Sequence, residues 1–598
     1  NITIVRHETA QGFVGACNAG AAAARGDYIV FLNNDTEVTY RWLDELLFTF
    51  RHFDNVGLVG SKLIYPDGSL QEAGGVIWAG GDGWNYGRHG NAHEPKYNYT
   101  RPVHYCSGAA IAVAKAAWHS VGGFSKDYAP AYYEDTDLAF SMRRKGFKTL
   151  YNPLSVVVHF EGISNGTEVV STGLKRFQAI NKPKFAGKFA SELAAAPEEG
   201  EGADLYKDEG VTRRALFIDY QVPRTDYDAG SYAAIQEMRM LQAHGYKVTF
   251  LPDNLARLGK YAEQLQRIGV EVIYAPFFVS TEEFLYERGA EFDVVYMTRY
   301  YVAQDNLKRV RKYAPQAKVL FNNADLHFLR EARAAVLSGS AKAIKQAKKT
   351  RKHELAVMRK VDLLLSYNDV EHAVVLSHNF EKTQIAKNPW VVDSVKDILA
   401  ISMRSGIAFL GGYGHPPNIE AVSYFVNDVM PLVRKSMPGV EFFIYGSNVN
   451  DEVRSLAADD VHVVGHVDDV AEVYERHRVF TASLLSGAGI KGKVLAAMAH
   501  GIPTVLSRIA AEGTGVRHGY DCHIAASPAD WVASIEALYA DETQWTDVSN
   551  RSRAFIDENY SFSHACDEIA EALASVDAPF STQRDGLYIQ TTSMNLEP

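Results

Sequence analysis

The sequence predicts an α/β protein in which one α/β domain is followed by a pair of doubly wound parallel domains. Three observations carry this. Short β-branched runs alternate with helices of ten or more residues, the pattern of βαβ units. The alternation breaks at Ala194–Gly210, where Ala, Pro, Glu, Gly and Asp replace the apolar runs. Beyond the break the strand–helix series runs, pauses and restarts at Ile407, so two halves of similar size follow one another. At 598 residues the chain is also too long for one hydrophobic core, which stops growing near ~250–300 residues.

Taken in order, Tyr28–Leu32, Val56–Gly60, Ala110–Ala114 and Ser155–His159 read as strands of a first domain at 1–192. Residues 193–212 cannot bury a core and read as a linker. The next domain, 213–395, opens with the apolar strand Arg214–Tyr220, a loop holding Asp228–Ser231, and an amphipathic helix. Its later strands are Val248–Leu251, Val319–Asn322 and Leu363–Tyr367, the last preceded by a Lys-rich helix around Ala341–Lys360. A final domain, 396–578, runs through Ile407–Gly412, Glu441–Gly446, Val461–Val464, Val479–Ala482 and Thr504–Leu506. Residues 579–598 read as a polar tail.

Apolar residues at 47% and charged residues at 22% are ordinary soluble composition. The net charge of -11 argues against nucleic acid as a partner, because phosphate-backbone binding needs a basic face. It does not bear on ligands gripped by local loops. The cysteines, Cys17, Cys106, Cys522 and Cys566, are scattered without a Cys-x-x-Cys pair, which argues against a zinc site or disulfide framework and fits a reducing cytosol. No apolar run approaches the ~20 residues that cross a bilayer. The opening residues Asn1–Val5 are neither an initiator Met nor a signal peptide and read as the interior of a strand.

Tyr28–Leu32 runs directly into Asn33, Asn34 and Asp35. Open α/β sheets place ligands at the carboxyl ends of strands. A carboxylate there either closes an Asx turn or holds a hard divalent cation that bridges substrate phosphates. Around it stand a small-residue helix at Asn18–Asp27, then Gly122–Phe124, the acidic group Tyr133–Leu138, Arg143–Gly146, and Val158–His159. These motifs, in this order over roughly 1–190, resemble the family 2 glycosyltransferases of bacterial polysaccharide synthesis, which have the GT-A fold. The resemblance implies that Asp35 is the metal-binding end of an Asp-x-Asp-type motif, weakened here because Asn33 and Asn34 hold the partner positions. It implies that Asp135 is the catalytic base, that His159 completes the metal site, and that the cation is Mg or Mn. A carboxylate can take the proton of an attacking hydroxyl, and a cation offsets the charge of a leaving nucleoside diphosphate; the resemblance implies inversion. Taken alone, His159 reads as a packed histidine, and Glu134 and Asp137 as helix N-terminal acids. Family members begin with a strand, a nucleotide-binding loop and a second strand ahead of the point where this chain opens. The first domain is therefore expected to be a front-truncated GT-A domain, part of a longer protein.

The second candidate site lies further on. Asp228–Ser231, Asp325–His327, Gly411–Asn418, Gly487–Lys493, His500–Thr504 and Ala511–Gly513 resemble family 4 glycosyltransferases, of GT-B fold, over Leu216–Ala574. Gly487 and Gly489 let backbone N–H groups approach a diphosphate, and Lys491 and Lys493 supply countercharge without a metal. A plain strand-to-helix turn with solvated lysines is the competing reading. Gly230 lies in the first strand-to-helix loop, either as a turn glycine or where donor or acceptor approaches the backbone. By resemblance His327 contacts the transferred sugar. Glu512 is a candidate for sugar or nucleotide contact, though a helix-start Glu looks the same. The family carries two glutamates across this loop and helix; here the later position is Ala496 and the earlier falls near Ser486–Ala488.

The resemblances imply a bifunctional enzyme moving sugars from UDP-, GDP- or dTDP-sugars to a growing surface glycan such as an O-antigen or capsule. The GT-A half would be inverting and metal-dependent, the GT-B half retaining and metal-independent. The acceptor is expected to be a glycan or lipid-linked glycan, and the protein cytoplasmic with peripheral contact at the inner membrane face. The Lys-rich helix either touches anionic headgroups or is a solvated face. In the alternative, only the GT-B half is catalytic and the GT-A remnant binds acceptor or acts as a scaffold.

Overall fold

The structure, a computed structural model, describes residues 2–160, 175–388 and 390–590, with Leu337 described in its backbone only. Asn1 and the tail residues 591–598 lie outside the described residues. The chain folds as two compact units. One comprises Asn1–Arg214, Leu241–Ser280 and Arg584–Pro598, the other Ala215–Met240 and Thr281–Gln583.

The first unit is built on a mixed sheet. Tyr28–Leu32 pairs antiparallel with Ala110–Ala114, which pairs antiparallel with Val56–Ile64; that strand runs parallel to Lys148–His159. Val56–Ile64 is buried along nearly its whole length, and apolar or glycine except at Ser61 and Lys62, as a strand covered on both faces tends to be. The short strand Thr36–Val38 closes on Lys148–His159 with Thr36 opposite His159. This register carries the Asn33–Asp35 turn to a residue far away in sequence. The helix Glu134–Arg144 begins with Glu134, Asp135 and Asp137 and ends with Arg143 and Arg144, charges that complement its macrodipole.

Leu241–Ser280 contributes the parallel pair Tyr246–Pro252 and Glu271–Val272. Arg267 ties it to the front of the unit, gripping Glu45 with Nε at 3.0 Å and Nη2 at 2.7 Å, both residues buried. Part of the stretch expected to be a linker is packed as well. Lys207 and Asp208 are buried, and Asp208 accepts from Tyr99 Oη at 2.7 Å, Lys207 Nζ at 2.8 Å and Arg214 Nη1 at 3.0 Å. Composition pointed to a loose connector because it counts few apolar residues; here opposed charges, paired out of water, do the anchoring.

The second unit holds two parallel sheets. In one, Arg213–Asp219, Val294–Thr298, Lys318–Asn322, Leu363–Ser366 and Gln384–Lys387 lie side by side in parallel register. The other has six strands in the order Val461–Gly465, Phe442–Tyr445, Ile407–Leu410, Val479–Ala482, Thr504–Ser507, His523–Ala525, all parallel. Its core joins buried strand residues such as Phe409, Ile444, Phe480 and Val505 to Phe425 and Trp531 from the covering helices. No helix among the described residues is long and apolar enough to cross a membrane. The four cysteines are free.

Candidate active sites

A cavity of about 1240 Å³ in the first unit is lined by Asn33, Asp35, Gln71, Asp135 and His159 among others. The strand pairing puts Asp35 and His159 together. The Asp35 carbonyl accepts from Phe160 N at 2.9 Å, and Thr36 Oγ1 closes the turn on the Asn33 carbonyl at 2.6 Å. His159 Nε2 lies 3.3 Å from Asp35 Oδ1, and its Nδ1 lies 2.8 Å from Gln71 Oε1.

Asp135 occupies the first turn of its helix. Its Oδ2 accepts from Gly108 N at 3.0 Å, and its Oδ1 from Thr136 N at 2.7 Å and Thr136 Oγ1 at 3.2 Å. Burial raises its pKa, while the amide and hydroxyl donors pull the other way. Its neighbours have less of that support. Glu134 is buried with one oxygen unpartnered, and burial and then Asp135 hold it well above the carboxylate range. Glu72 accepts from Ser107 N at 2.9 Å and is pushed up to about 8, chiefly by burial. Consecutive amides thus hold two carboxyls, and three donors favour the charged form at Asp135.

The approach to Asp135 is strained. Tyr132 and Tyr133 have φ of 75° and 73°, left-handed conformations that cost roughly 1–2 kcal/mol each. Asn181, fully buried, holds the turn by donating from Nδ2 to the carbonyls of Tyr128, Ala131 and Tyr132 at 3.0, 3.1 and 3.0 Å.

The residues at Asp35 can be tested against a divalent cation. In the tautomer whose Nδ1 donates to Gln71, the uncharged His159 ring turns a bare Nε2 lone pair toward a carboxylate oxygen. Two such lone pairs at 3.3 Å repel unless a proton or cation lies between them. An oxygen on the far ring nitrogen is how metal-binding histidines are oriented, and Mg or Mn sites finish their shells with water and substrate phosphates. Asp35 and His159 therefore fit such an ion as a two-residue site. Among the described residues no group of three or more His, Cys, Asp or Glu is gathered to hold one.

In the second unit the six-stranded sheet reverses its order between Ile407–Leu410 and Val479–Ala482. Ligands of open α/β sheets bind outside the carboxyl ends of strands at such a reversal. The loops leaving these two strands contain Gly411–Asn418 and Gly487–Lys493. They meet where Lys493 Nζ donates to Asn418 Oδ1 at 2.6 Å, with the ammonium 4.5 Å from the Phe409 ring centroid. Burial, with Lys491 adding repulsion, brings Lys493 down to about 7. Gly487 and Gly489 have φ of 137° and 72°, which explains glycine at both places.

The Gly489 N–H already has an acceptor, Glu371 Oε1 at 3.1 Å. Glu371 is buried and pushed up to about 7 by burial and then by Asp325. Lys491, also buried, folds beneath the loop and donates to the carbonyls of Gly489 at 2.6 Å and Ala488 at 3.3 Å. Burial lowers its pKa, opposed by Glu512 and Glu371. Glu512 accepts two bonds from Arg333, at 2.8 and 2.9 Å, and Arg333 also donates to the Gly487 carbonyl at 3.2 Å.

His327 opens the helix His327–Ser338, with Nδ1 at 3.1 Å from Asp325 Oδ1 and 3.5 Å from Glu354 Oε1. Glu354, fully buried, caps that helix by accepting from His327 N and Phe328 N at 3.1 and 2.9 Å. Burial disfavours the imidazolium, but Glu354 and Asp325 outweigh it and raise the pKa. A Cβ on Gly489 would stand 3.5 Å from Asp325 Cβ, so His327 and the glycine loop share one neighbourhood. Gly230 lies in the first turn of Ala229–Ala243, where a Cβ would meet Arg299 Nη2 and Asp228 Oδ1, each at 3.2 Å.

Thus Asp35, Asp135 and His159 face one cavity, and Gly487, Gly489, Lys491 and Glu512 form one cluster with Lys493 at its edge. Sequence reasoning missed Gln71, Arg333, Glu354 and Glu371. Only Glu371 left a signal, an acid three residues after a capping asparagine, and that signal reads as an ordinary helix start.

Two stretches of the chain match glycosyltransferase family models. Residues 1–117 match the family model described as Glycosyl transferase family 2, and residues 404–541 the one described as Glycosyl transferases group 1. Curated relatives include an uncharacterized protein, y4gI, of Sinorhizobium fredii, 29% identical over 27% of this chain and 18% of its own length. O-antigen biosynthesis protein RfbC of Myxococcus xanthus is 29% identical over 26% of this chain and 12% of its own. N-acetylglucosaminyl-diphospho-decaprenol L-rhamnosyltransferase of Mycobacterium tuberculosis is 28% identical over 24% and 50%. The chain spans half or less of the length of these relatives. Among solved structures, sucrose-phosphate synthase of Thermosynechococcus elongatus aligns with a TM-score of 0.47 at 12% identity, over 61% of this chain and all of that one. Anabaena Alr3699/HepE in complex with UDP and glucose aligns over the same shares, with a TM-score of 0.46 at 13% identity.

Proposed function

We propose that the chain is a bifunctional glycosyltransferase that adds sugars from nucleotide-sugar donors (UDP-, GDP- or dTDP-linked) to a surface polysaccharide during its assembly. The observation that carries this reading is the convergence of Asp35, Asp135 and His159 on one large cavity.

In the first unit Asp135 takes the proton of the acceptor hydroxyl as that oxygen attacks the anomeric carbon from the face opposite the leaving group, inverting the centre. Gly108 N, Thr136 N and Thr136 Oγ1 orient the carboxylate for this. Asp35 and His159 would hold a divalent cation, which when bound offsets the charge of the departing nucleoside diphosphate. Gln71 fixes the His159 ring.

In the second unit the Gly487–Lys493 loop binds a donor diphosphate without metal, through glycine amides and the two lysines. His327 meets the transferred sugar, and the stereochemistry is retained. A relative that acts on a diphospho-decaprenol-linked sugar supports a lipid-linked acceptor here and a working position at the cytoplasmic membrane face.

Donor turnover by Asp135→Asn and Lys493→Ala variants tests the reading. Each should abolish one transfer and spare the other, with Asp135→Asn costing ~10²–10⁴-fold in its half. Loss of all turnover from Lys493→Ala alone would leave only the second unit catalytic. Manganese should raise the melting temperature of the wild type and not of His159→Ala.

A further inference from the structure

The second unit carries another cavity, of about 670 Å³, that the donor chemistry does not use. Five cations line it, Lys308, Arg311, Arg359, Lys360 and Lys382, against one carboxylate, Asp362. That carboxylate is already engaged. It takes Arg311 Nη1 at 2.9 Å and the amide of Val319 at 2.6 Å. Arg311 also donates to the Lys360 carbonyl at 2.9 Å, and Arg359 lies over the Phe380 ring. The side chains of Lys308, Lys360 and Lys382 make no hydrogen bond or ion pair among the described residues. In a chain of net charge -11, a pocket with four more cations than anions is a local reversal of sign.

Its place in the fold separates it from the donor loops. Asp362 immediately precedes Leu363–Ser366, so the cavity lies at the amino ends of the parallel strands. Asp325, His327 and Glu371 follow Lys318–Asn322 and Leu363–Ser366, at the carboxyl ends. The two sites sit at opposite ends of one sheet.

We propose that this cavity binds a phosphate-bearing ligand. Lysine ammoniums grip phosphate oxygens as point charges, and like charges held round a concavity focus an attractive field on an anion. The volume falls in the range of small-ligand sites, and Leu307, Val357 and Val361 offer an apolar wall for whatever carries the phosphate. Two sources share this chemistry. One is a soluble phosphate or diphosphate. The other is a phospholipid headgroup, toward which the exposed Lys342, Lys345, Lys348 and Lys352 of Ala341–Met358 would also be drawn.

The test uses the full chain and a Lys308→Gln/Lys360→Gln/Lys382→Gln variant, with the corresponding triple Arg variant as a charge-retaining control. Pyrophosphate titration and co-sedimentation with vesicles of phosphatidylcholine, with and without phosphatidylglycerol, are the two arms. The Gln variant should lose at least tenfold in one arm, the Arg variant should keep binding, and UDP affinity should be the same in all three. Loss to pyrophosphate assigns a soluble ligand; loss only to anionic vesicles assigns a headgroup. Wild-type behaviour of the Gln variant in both arms, or no binding by the wild type in either, overturns the proposal.

Discussion

Replacing Glu371 by Gln should change how nucleotide binding depends on pH. The Glu371 carboxyl occupies the amide of Gly489, one of the groups proposed to hold a donor diphosphate. Pushed up to about 7, the carboxyl is mostly ionised at pH 8 and would repel an incoming phosphate. If only the protonated form admits the donor, the apparent UDP affinity falls ~2-fold at pH 7 and ~11-fold at pH 8 relative to acidic conditions. A carboxamide at this position cannot ionise, so the Glu371→Gln variant should keep only the shallower pH dependence that Lys493, itself brought down to about 7, imposes from pH 6 to 8. Stability gives a second readout. The folded pKa lies above the unfolded value near ~4.3, so the folded state holds the proton more tightly. The fold therefore loses stability as pH rises from there to about 7, by up to roughly 4 kcal/mol for this group. Glu371→Gln should melt higher than the wild type at pH 8, and the gap should close below pH 4. Isothermal titration and thermal denaturation across that range measure both. Parallel pH profiles of UDP affinity in wild type and variant would refute the reasoning.

Arg267→Ala leaves the Glu45 carboxylate buried without its partner, and guanidinium denaturation should show a loss of ~3–5 kcal/mol in the first unit. Gly446 has φ of 135°, and a Cβ there would lie 1.8 Å from the Gly411 carbonyl oxygen. Gly446→Ala should therefore cost roughly 2–4 kcal/mol and weaken UDP binding by displacing the loop that carries Asn418; a melting curve and a titration check both. Asn181→Ala removes the donor from three carbonyls and should destabilise the turn by roughly 2–3 kcal/mol. Faster amide exchange over 128–136, with reduced turnover at Asp135, is the expected signature.

Many strands were legible because β-branched runs and their flanking loops are local signals: Tyr28–Leu32, Ala110–Ala114 and Val479–Ala482 fall where the pattern puts them, and others such as Arg213–Asp219 and Phe442–Tyr445 shift by a residue. The long strand Lys148–His159 was seen only at its end, because Asn152 and Pro153 interrupt the apolar run that marks a strand. Asp35, Asp135 and His159 could be named from motif order, yet their shared cavity depends on a register that pairs Thr36 with His159, and single-chain periodicity carries no cross-strand information. Glu371 and Arg333 were missed for a different reason. Each lies on a helix whose local sequence is satisfied by capping or by solvent, and only the packing of one sheet's helices against the other's loops gives them partners. The burial of Asp208 was equally hidden, since its partners come from Tyr99, Lys207 and Arg214 rather than from an apolar face.

The path of the backbone has a practical consequence. The polypeptide leaves the first compact body after Arg214, enters the second for one strand and one helix, returns for Leu241–Ser280, and then departs again. No single scission can release either unit intact. A fragment starting at residue 213 would leave Glu45 behind while keeping Arg267, and a fragment ending at 192 would strand the same pair from the other side. Separate halves made for enzymology would therefore each carry an orphaned buried charge, and inactivity of such a piece would report broken architecture rather than missing chemistry.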